Sequence, residues 1–312
     1  MNKTDNDNCI VCGKSLANNH QQIHQKVRGD AEGNHRVIKC NSCGHIQLFP
    51  AYYDFKSHYE ADSQNNELMD SLGVSFADII EKEAVEAERR YEFISKNILD
   101  MSAKSLLDVG GGYCTFANYC KKHEPSVKIK VVEPSRHRSD KGKKYHHIEN
   151  LEVDSQFVDG SYAQQNSEKY DIVTLWHVLE HVYNVRELLS NLYKMVKQGG
   201  YLLMEVPNGA DELSGIEDYG NIIYMVHHLS YFTEDVLKRI FEDVGIKNYK
   251  IKYIQRYGFN NYINWVYNKF RNFNLRNEMF SGGENLHWLE RAWIEGKKKQ
   301  KNTDTLFIII QK

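Results

Sequence analysis

The sequence is poor in proline, in long apolar runs and in any excess of charge. It has only 4 prolines among 312 residues, and no proline-rich linker divides it. No stretch approaches the roughly 18 consecutive apolar residues that indicate a membrane helix, so we expect no membrane span. The formal net charge is −2, with 40 basic and 42 acidic residues. Because binding to a phosphate backbone needs a basic excess, this balance argues against a nucleic-acid partner.

The start of the chain also lacks the features of an export signal. The first residues, MNKTDNDNC, are polar and include no apolar segment of the secretory type. We therefore expect a cytoplasmic protein, in which disulfide bonds are rare. The hydrophobic fraction of 41% is enough for a substantial core. A chain of this length has room for one large domain and a small one.

Four of the 6 cysteines form two C-x-x-C pairs, Cys9 with Cys12 and Cys40 with Cys43. Each pair is followed by glycine, which lets the backbone turn its amides toward thiolate sulfurs. Two such pairs supply the ligands of a tetrahedral zinc site. A redox C-x-x-C would occur singly on a βαβ frame. We predict a structural Zn²⁺ in a ribbon over residues 1–55, because four thiolates leave no open coordination position.

Residues 56–312 are predicted to form one α/β domain. Ser75 and Asp78 have the spacing of a capping box, and apolar residues then recur at helical spacing up to Ile98. Strand-like and helical segments alternate after this helix, which predicts a doubly wound sheet. The strand-like runs are KSLLDVG, VKIKVVEP, LEVDSQFVDG, YDIVTLW, YLLMEVPN and TDTLFIIIQK. We expect the helix after YDIVTLW to end at Gly199–Gly200.

A glycine-rich turn, LDVGGGYC at 107–114, joins the first of these strands to a helix. Such a turn lets a ligand approach the backbone closely. The next strand ends at Glu133, 25 residues after Asp108, where a carboxylate can bind both hydroxyls of a ribose. Asp159, which we place at the end of the third strand, can face an adenine amine. Strand ends of this kind form one ligand crevice in open α/β sheets.

Four motifs in order, LLDVGGGYCTF, VVEPS, YDIVTLWHVLEHV and GGYLLMEVPN, resemble those of class I S-adenosylmethionine-dependent methyltransferases. The resemblance extends from the capping box to the end of the chain. It implies a Rossmann-like seven-stranded sheet whose last strand is antiparallel. It also implies that Gly110 and Gly112 pass close to S-adenosylmethionine and that Glu133 holds its ribose. Asp159 and Trp176 would lie near the adenine and amino-acid ends of this cofactor.

The turn departs from the family pattern at one position. Cys114 stands where the common G-x-G-x-G turn has its third glycine, and we expect modest loosening of cofactor binding. The alternative for such a turn is a dinucleotide dehydrogenase. That class would show G-x-G-x-x-G, whereas residue 115 here is Thr.

The string WHVLEH matches the H-x-x-E-H signature of inverted zinc peptidases, with His177, Glu180 and His181 at the signature positions. That chemistry requires both histidines on one helix. The run before His177 is strand-like, so we expect His177 at the carboxyl end of a strand and a helix that begins after it. The peptidase interpretation therefore lacks its structural context.

A second histidine-rich segment, YMVHHLSYF, follows the fifth strand after a loop. Loops above strand ends meet substrates, and histidine can remove a proton near neutral pH. As catalytic base we rank His228 first, His181 second and His177 third. The alternative is that His228 only packs or caps. His227 and Tyr231 of this segment are candidate substrate contacts.

The stretch 258–303, between the last two strands, is predicted to be a helical insertion on the substrate side. It contains aromatic residues at helical spacing, among them Trp265. Such a stripe is most often core. The alternative is a lid whose indoles stack on a sugar ring, with Trp265 as a substrate contact.

The zinc module, the HLSYF segment and the aromatic region together resemble methyltransferases that act on sugars. Deoxysugar C-methyltransferases carry E-H-L-S-Y-F at this point, and His227 replaces the Glu here. The forms WHVLEH and PN after the fifth strand are commoner among O-methyltransferases. We therefore expect O-methylation of a sugar or glycan intermediate of polysaccharide or secondary-metabolite biosynthesis, with a nucleotide-linked sugar as a candidate acceptor.

Three alternatives stay open. They are sugar C-methylation, RNA methylation with the ribbon as the reader, and a catalytically silent module that only binds S-adenosylmethionine. The near-neutral charge counts against RNA.

Overall fold

The computed structural model describes residues 7–53, 74–268 and 287–312. The chain divides into two compact units. Unit 1 consists of Met1–Tyr53, His177–Arg186 and Glu205–Ile308, and unit 2 of Asp54–Trp176, Glu187–Met204 and Ile309–Lys312. This grouping places the N-terminal module with a distant part of the chain. The predicted domain boundary at residue 55 stays a prediction.

The helices and strands are bounded as follows. The strands are β1 (His20–His24), β2 (Arg36–Cys40), β3 (Ile46–Phe49), β4 (Ser105–Val109), β5 (Lys128–Val132), β6 (Glu152–Asp154), β7 (Tyr170–Trp176), β8 (Val196–Pro207), β9 (Ser230–Tyr231), β10 (Tyr249–Ile254) and β11 (Thr305–Gln311). The α-helices are α1 (Phe76–Asn97), α2 (Thr115–His123), α3 (Arg136–His146), α4 (Gly160–Gln165), α5 (Val185–Met195), α6 (Glu217–Ile223), α7 (Glu234–Asp243), α8 (Phe259–Asn268) and α9 (His287–Gln300).

Seven strands form a mixed sheet in the order β10-β11-β8-β7-β4-β5-β6. β4 pairs in parallel with β5 and β7, and β5 pairs in parallel with β6. The Gly199 N–H donates to the Lys312 carbonyl over 2.9 Å, and the Asn208 N–H donates to the Asp304 carbonyl over 2.9 Å. One residue number rises as the other falls, so β11 runs antiparallel to β8. The predicted Rossmann-like sheet with an antiparallel last strand is confirmed.

Helix α1 of unit 2 begins where the sequence predicts. The Ser75 side chain accepts from the Asp78 N–H, and the Asp78 carboxylate accepts from the Ser75 N–H over 2.8 Å. This reciprocal pair satisfies two backbone donors that would otherwise lack helical partners. Ala87 and Ile94 lie on the buried side of the helix.

The predicted end of helix α5 is wrong. The helix stops at Met195 and β8 begins at Val196, so Gly199–Gly200 lies inside the strand. The carbonyl groups of Lys194 and Met195 accept from the N–H groups of residues 168 and 169, which replaces further helical bonding. A Cβ on Gly200 would lie 2.8 Å from the Asp171 carbonyl oxygen. The glycine therefore permits a close backbone approach and does not end the helix.

Unit 1 contains a second, four-stranded sheet in the order β1-β2-β3-β9. β1, β2 and β3 come from the N-terminal module, and all three neighbouring pairs are antiparallel. The fourth strand is the predicted HLSYF segment, with Ile46 opposite Tyr231 and Gln47 opposite Ser230. The N-terminal module thus shares its sheet with the histidine-rich segment.

Among the helices in the described parts of the chain, none is both long and apolar enough to cross a membrane. Helices α8 and α9 lie on either side of residues 269–286, between β10 and β11. Much of the predicted helical insertion is therefore helical, and its middle lies outside the described residues.

A glycine in α3 provides a test of backbone packing in unit 2. A Cβ on Gly142 would lie 2.0 Å from the Tyr113 carbonyl oxygen, a backbone atom that cannot rotate away. We expect Gly142→Ala to lower the free energy of unfolding by about 3 kcal/mol, as overpacking does. Urea unfolding followed by circular dichroism measures this loss.

The matched control is Gly296→Ala in α9. No heavy atom lies within 4 Å of a Cβ at that glycine. Alanine there should raise stability by up to about 1 kcal/mol, since it is the better helix former. Equal effects of the two substitutions would contradict the assigned contact at Gly142.

Candidate functional site

The glycine-rich turn of unit 2 has the backbone conformation that its sequence predicts. Gly110 has φ +72 and Gly112 has φ +53, in the left-handed region that glycine adopts without strain. Cys114, at the position of the missing third glycine, also has a positive φ of 60. The cysteine therefore keeps the turn's shape, at a conformational cost of about 1–2 kcal/mol.

Glu133 joins this turn to the end of β5. Its side chain is buried, with 3% exposure. Its Oε2 accepts from the Gly112 N–H over 2.9 Å, and its Oε1 accepts from the Ser135 N–H over 2.8 Å. A carboxylate has about four acceptor positions and can therefore accept from several donors at once. The geometry suits the predicted role of holding two ribose hydroxyls.

Asp108 is a buried residue near the end of β4, just before the turn. Its Oδ1 accepts from the Thr174 hydroxyl over 2.7 Å, and its Oδ2 has no hydrogen-bond partner among the described residues. Burial raises the pKa of this carboxyl to about 6. No heavy atom lies within 4 Å of a Cβ placed on Gly112. An acceptor without a donor and open space at the turn both fit S-adenosylmethionine, which carries hydroxyl and ammonium donors.

The sequence suggested that Asp159 ends the third strand, and this prediction is wrong. β6 ends at Asp154, and Asp159 is the N-cap of α4, where its Oδ1 accepts from the Tyr162 N–H over 2.8 Å. Asp159 is at this position because an Asp before a helix satisfies an exposed backbone donor, and the sequence analysis did not consider this role. Its contact with adenine stays a prediction.

Trp176 ends β7 and is 8% exposed. Its ring meets Phe116 edge to face, with centroids 5.3 Å apart, and the Arg90 guanidinium lies 5.0 Å from its centroid. These contacts hold the indole in one orientation. A role near the cofactor's amino-acid end stays a prediction.

The four cysteines of the two C-x-x-C pairs lie together in unit 1. Their sulfur atoms all lie within 4.8 Å of one another, with Cys9 Sγ 3.5 Å from Cys43 Sγ and Cys12 Sγ 3.7 Å from Cys40 Sγ. The hydrogen bond from Cys9 is the main cause that lowers the pKa of Cys43 to about 5. Four thiols at this spacing fit a tetrahedral Zn²⁺ site.

The glycines after each pair, Gly13 and Gly44, have φ of +69 and +77. Their N–H groups donate to the Cys9 and Cys40 carbonyls over 2.8 and 2.9 Å. The predicted turns are therefore present. His45 is fully buried, with Nε2 3.2 Å from the Ser230 hydroxyl, and it is not a member of the sulfur cluster.

Three histidines form a second cluster in unit 1. One ring nitrogen from each of His181, His227 and His228 lies within 4.8 Å of those of the other two. The His181 ring centroid is 5.4 Å from that of His227 and 4.8 Å from that of His228. His227 and His228 are buried, and His181 is half-buried. The first two candidates for the catalytic base thus lie side by side, together with a predicted substrate contact.

Two short elements position these rings. His181 ends the 3-10 turn Leu179–His181, and its Nδ1 lies 2.8 Å from the His227 carbonyl oxygen. His228 lies in a turn closed by its N–H and the Met225 carbonyl at 3.0 Å. Burial is the main cause that lowers the pKa of His228 well below its ordinary value, with the charges of His181 and His227 acting in the same direction. The His228 imidazole is therefore neutral.

His177, the third candidate base, does not join this cluster. It follows β7 directly with φ +53, and its N–H donates to the Glu205 carbonyl over 2.9 Å. Its Nδ1 is 3.2 Å from the Oε1 of the fully buried Glu180. The expected position at a strand end is confirmed. The H-x-x-E-H residues thus do not present the helical pair of a zinc peptidase.

Tyr231 and Trp265 pack within unit 1. The buried Tyr231 hydroxyl accepts from the Met225 N–H over 2.9 Å, which fixes the turn that carries His227 and His228. Trp265 meets Tyr219 edge to face at 5.2 Å. Their direct contact with a substrate stays a prediction.

The burial of Asp108 predicts a pH dependence of stability. Its pKa rises from 3.8 in ordinary surroundings to about 6, so its contribution to stability is full below pH 3.8 and lost as pH rises through about 6. Asp108→Asn is neutral throughout and escapes this loss. Relative to wild type, the variant should gain about 3 kcal/mol between about pH 4 and pH 8. Urea unfolding without cofactor measures it, and an equal difference at both pH values would contradict the buried charge.

Loss of the Glu133 carboxylate should weaken cofactor binding. Charge-assisted hydrogen bonds contribute roughly 1.5–3 kcal/mol each, so Glu133→Ala should weaken binding of S-adenosylhomocysteine about tenfold or more. Titration calorimetry measures the affinity. Glu149→Ala, at an exposed carboxylate, serves as the control. Unchanged affinity in Glu133→Ala, with its fold intact, would remove this residue from the cofactor site.

Curated relatives share part of the chain. A ubiquinone biosynthesis O-methyltransferase of Coxiella burnetii (strain Dugway 5J108-111) is 24% identical over 179 residues, which cover 52% of this chain and 75% of that protein. One of the same name from Aliivibrio fischeri (strain MJ11) is 27% identical over 125 residues, which cover 38% of this chain and 50% of that protein. The chain thus spans half to three quarters of these two relatives.

Structural and family comparisons agree with the fold. A SAM-dependent methyltransferase from Archaeoglobus fulgidus superposes with a TM-score of 0.50 at 18% identity, over 75% of this chain and 94% of that one. The Methyltransferase domain family matches residues 85–251, slightly more than half of the chain. The matched range contains the glycine turn, Glu133 and the whole histidine cluster. The chain therefore belongs to the Methyltransferase domain family and is an S-adenosylmethionine-dependent methyltransferase.

Proposed function

We propose that the enzyme transfers the methyl group of S-adenosylmethionine to a hydroxyl oxygen of a sugar-containing acceptor. In this reaction the new O–CH₃ bond forms as the S–CH₃ bond breaks, and the sulfur keeps the electron pair. The acceptor's proton leaves in the same process. The histidine cluster of unit 1 is the single observation that carries the transfer to a hydroxyl oxygen.

A hydroxyl group is a poor nucleophile until its proton leaves, so the acceptor needs a group that takes the proton or stabilises the oxyanion. Neutral imidazole nitrogens suit this task. His181 is half-buried, which gives an acceptor a way to the cluster, and His228 lies beside it with ring centroids 4.8 Å apart. We place activation of the hydroxyl at these two residues, with His228 as the member whose loss costs most.

The cofactor residues have separate roles in this proposal. Glu133 would accept from the ribose hydroxyls, while Asp108 Oδ2 would accept a donor that the protein itself does not supply. The bound cofactor supplies the electrophilic methyl group. Holding it in one orientation lets the chain contribute alignment, which accelerates a two-substrate reaction by removing the entropy cost of encounter.

We also propose one structural Zn²⁺ at the four cysteines. The shared sheet supports a role beyond the stability of the N-terminal module. β3 begins at Ile46, shortly after Cys43, and pairs with β9, shortly after His228. A metal that fixes the two cysteine turns would therefore fix the segment that carries the histidines.

A phenolic hydroxyl is the second candidate acceptor. The two curated relatives described above are named as ubiquinone biosynthesis O-methyltransferases, which favours a phenol ring. The sugar assignment is supported instead by the combination of the four-cysteine module with the HLSYF segment. Both acceptors present an oxygen nucleophile, so the histidine cluster serves either.

Methyl transfer to defined acceptors tests the proposal. The full chain is incubated with methyl-labelled S-adenosylmethionine and panels of nucleotide-linked sugars, free glycans and dihydroxyphenols, and products are identified by mass spectrometry. A labelled sugar oxygen supports the first candidate, and a labelled phenol supports the second. A labelled carbon, or labelled RNA in a further panel, would contradict both.

With an acceptor in hand, His228→Ala should lower turnover at least about 100-fold, the lower range for loss of proton-transfer catalysis. Binding of S-adenosylhomocysteine should stay near wild type. His123→Ala, at an exposed histidine outside the cluster, is the matched control and should keep wild-type turnover. Full turnover in both His228→Ala and His181→Ala would show that the cluster takes no part.

A further inference from the structure

We propose that His181, His227 and His228 together bind one divalent transition-metal ion, at a site distinct from the four cysteines. The three imidazoles supply three nitrogen ligands, and the fourth position stays open. Such a donor set is typical of catalytic metal sites, whereas the closed thiolate set is typical of structural ones.

The spacing of the rings is close to that of a metal site. One nitrogen of each ring lies within 4.8 Å of the others. Metal–nitrogen bonds of about 2.0–2.1 Å at tetrahedral angles require nitrogen pairs about 3.4 Å apart. Rotation of the side chains by about an ångström or a little more at the nitrogen atoms closes this difference. Within the described residues, only this histidine group and the four cysteines offer such a set of donor atoms.

The hydrogen bond of His181 fixes which of its nitrogens can bind a metal. The His227 carbonyl oxygen only accepts, so His181 Nδ1, 2.8 Å away, carries the proton. In the neutral ring, Nε2 then carries the lone pair. Metal-binding histidines almost always donate their other N–H in this way, often to a backbone carbonyl. The ring is therefore oriented as a ligand before any metal arrives.

His228 provides a second observation. Its side chain is 8% exposed, and its Nδ1 has no hydrogen-bond partner in the described parts of the chain. A buried polar atom that stays unsatisfied destabilises the folded protein. A bound cation would satisfy this nitrogen of His228.

The surrounding charges leave room for a cation. Arg28 is the nearby positive group, and its guanidinium is turned to the Met225 sulfur, 2.7 Å away. The fully buried Glu180 precedes His181 and supplies a carboxylate, which holds His177. The Tyr231 hydroxyl is engaged with the Met225 N–H. Arg28 and the Glu180 carboxylate are thus both engaged with other groups near the three imidazoles.

The chemistry of the donors selects the class of metal. Imidazole nitrogens suit Zn²⁺, Fe²⁺, Ni²⁺ and Cu²⁺, and carboxylate-preferring ions such as Mg²⁺ and Ca²⁺ bind such a set poorly. We assign the site to a zinc-like ion. The half-buried His181 leaves a side from which a fourth ligand can enter.

The role of the ion rests on the proposed function, although its binding does not. An acceptor hydroxyl at the fourth position would lose its proton to solvent more readily, because a bound divalent ion stabilises the oxyanion. Zinc lowers the pKa of bound water from 15.7 to about 7 in favourable sites. The three histidines would then act through the ion, as a group, on the oxygen that accepts the methyl group.

Metal counting on the full chain tests the site. Protein saturated with Zn²⁺ and freed of excess metal should contain two ions per chain by elemental analysis. Cys9→Ser should remove the thiolate-bound ion, and His181→Ala or His228→Ala should remove the other. His123→Ala should keep both. In calorimetric titration of Zn²⁺, each cluster variant should lose at least about 100-fold in affinity, since even loss of a ligand's hydrogen-bond partner costs 10–100-fold.

Cobalt substitution distinguishes the two sites by colour. Co²⁺ at the cysteines should show a thiolate charge-transfer band, and Co²⁺ at the histidines should show only weaker bands, which disappear in His228→Gln. One ion per chain in wild type would overturn the proposal. So would a second ion that both His181→Ala and His228→Ala retain. These measurements use neither acceptor nor cofactor. Metal binding without methyl transfer would therefore refute only the proposed reaction. Methyl transfer by protein that lacks the second ion would refute only the proposed metal site.

Discussion

The pairing of β3 with β9 is the constraint on which unit 1 depends. Residues about 185 positions apart meet there, and both flank candidate metal sites. On one side Cys43 lies three residues before Ile46, and on the other His228 lies two before Ser230. Because antiparallel pairing fixes register to a single residue, a shift at either end would displace the other. The N-terminal module therefore acts as part of the scaffold for the histidine cluster.

In unit 2, two buried carboxylates lie near the glycine turn. Glu133 receives two backbone N–H groups, while Asp108 is buried with one side-chain donor and a pKa raised to about 6. Burial of a carboxylate without full hydrogen bonding costs stability. Ligand sites commonly retain such groups, because the missing donor arrives with the ligand. The two acids thus differ in how many hydrogen-bond donors the protein supplies to them.

Local signals in the sequence predicted local structure well. The capping box of Ser75 and Asp78 lies within one helical turn, so its outcome depends on few other residues. Two predictions were wrong. Gly199–Gly200 lies within β8, whose pairing depends on distant residues, and Asp159 caps a helix instead of ending a strand. The approach of His181 to the YMVHHLSYF segment depends on sheet pairing, which no periodicity reveals. The H-x-x-E-H string gave no sign that His181 lies beside His227 and His228.

The shared sheet also limits how this architecture can be recombined. An N-terminal module that folded by itself could be transferred to another enzyme without further changes. Here the edge of β3 is covered by Ser230–Tyr231, so a chimera with a foreign core would leave the backbone groups of β3 without their partner. A successful exchange has to carry the histidine segment with the module. The two segments therefore have to be exchanged together, although nearly two hundred residues separate them in the chain.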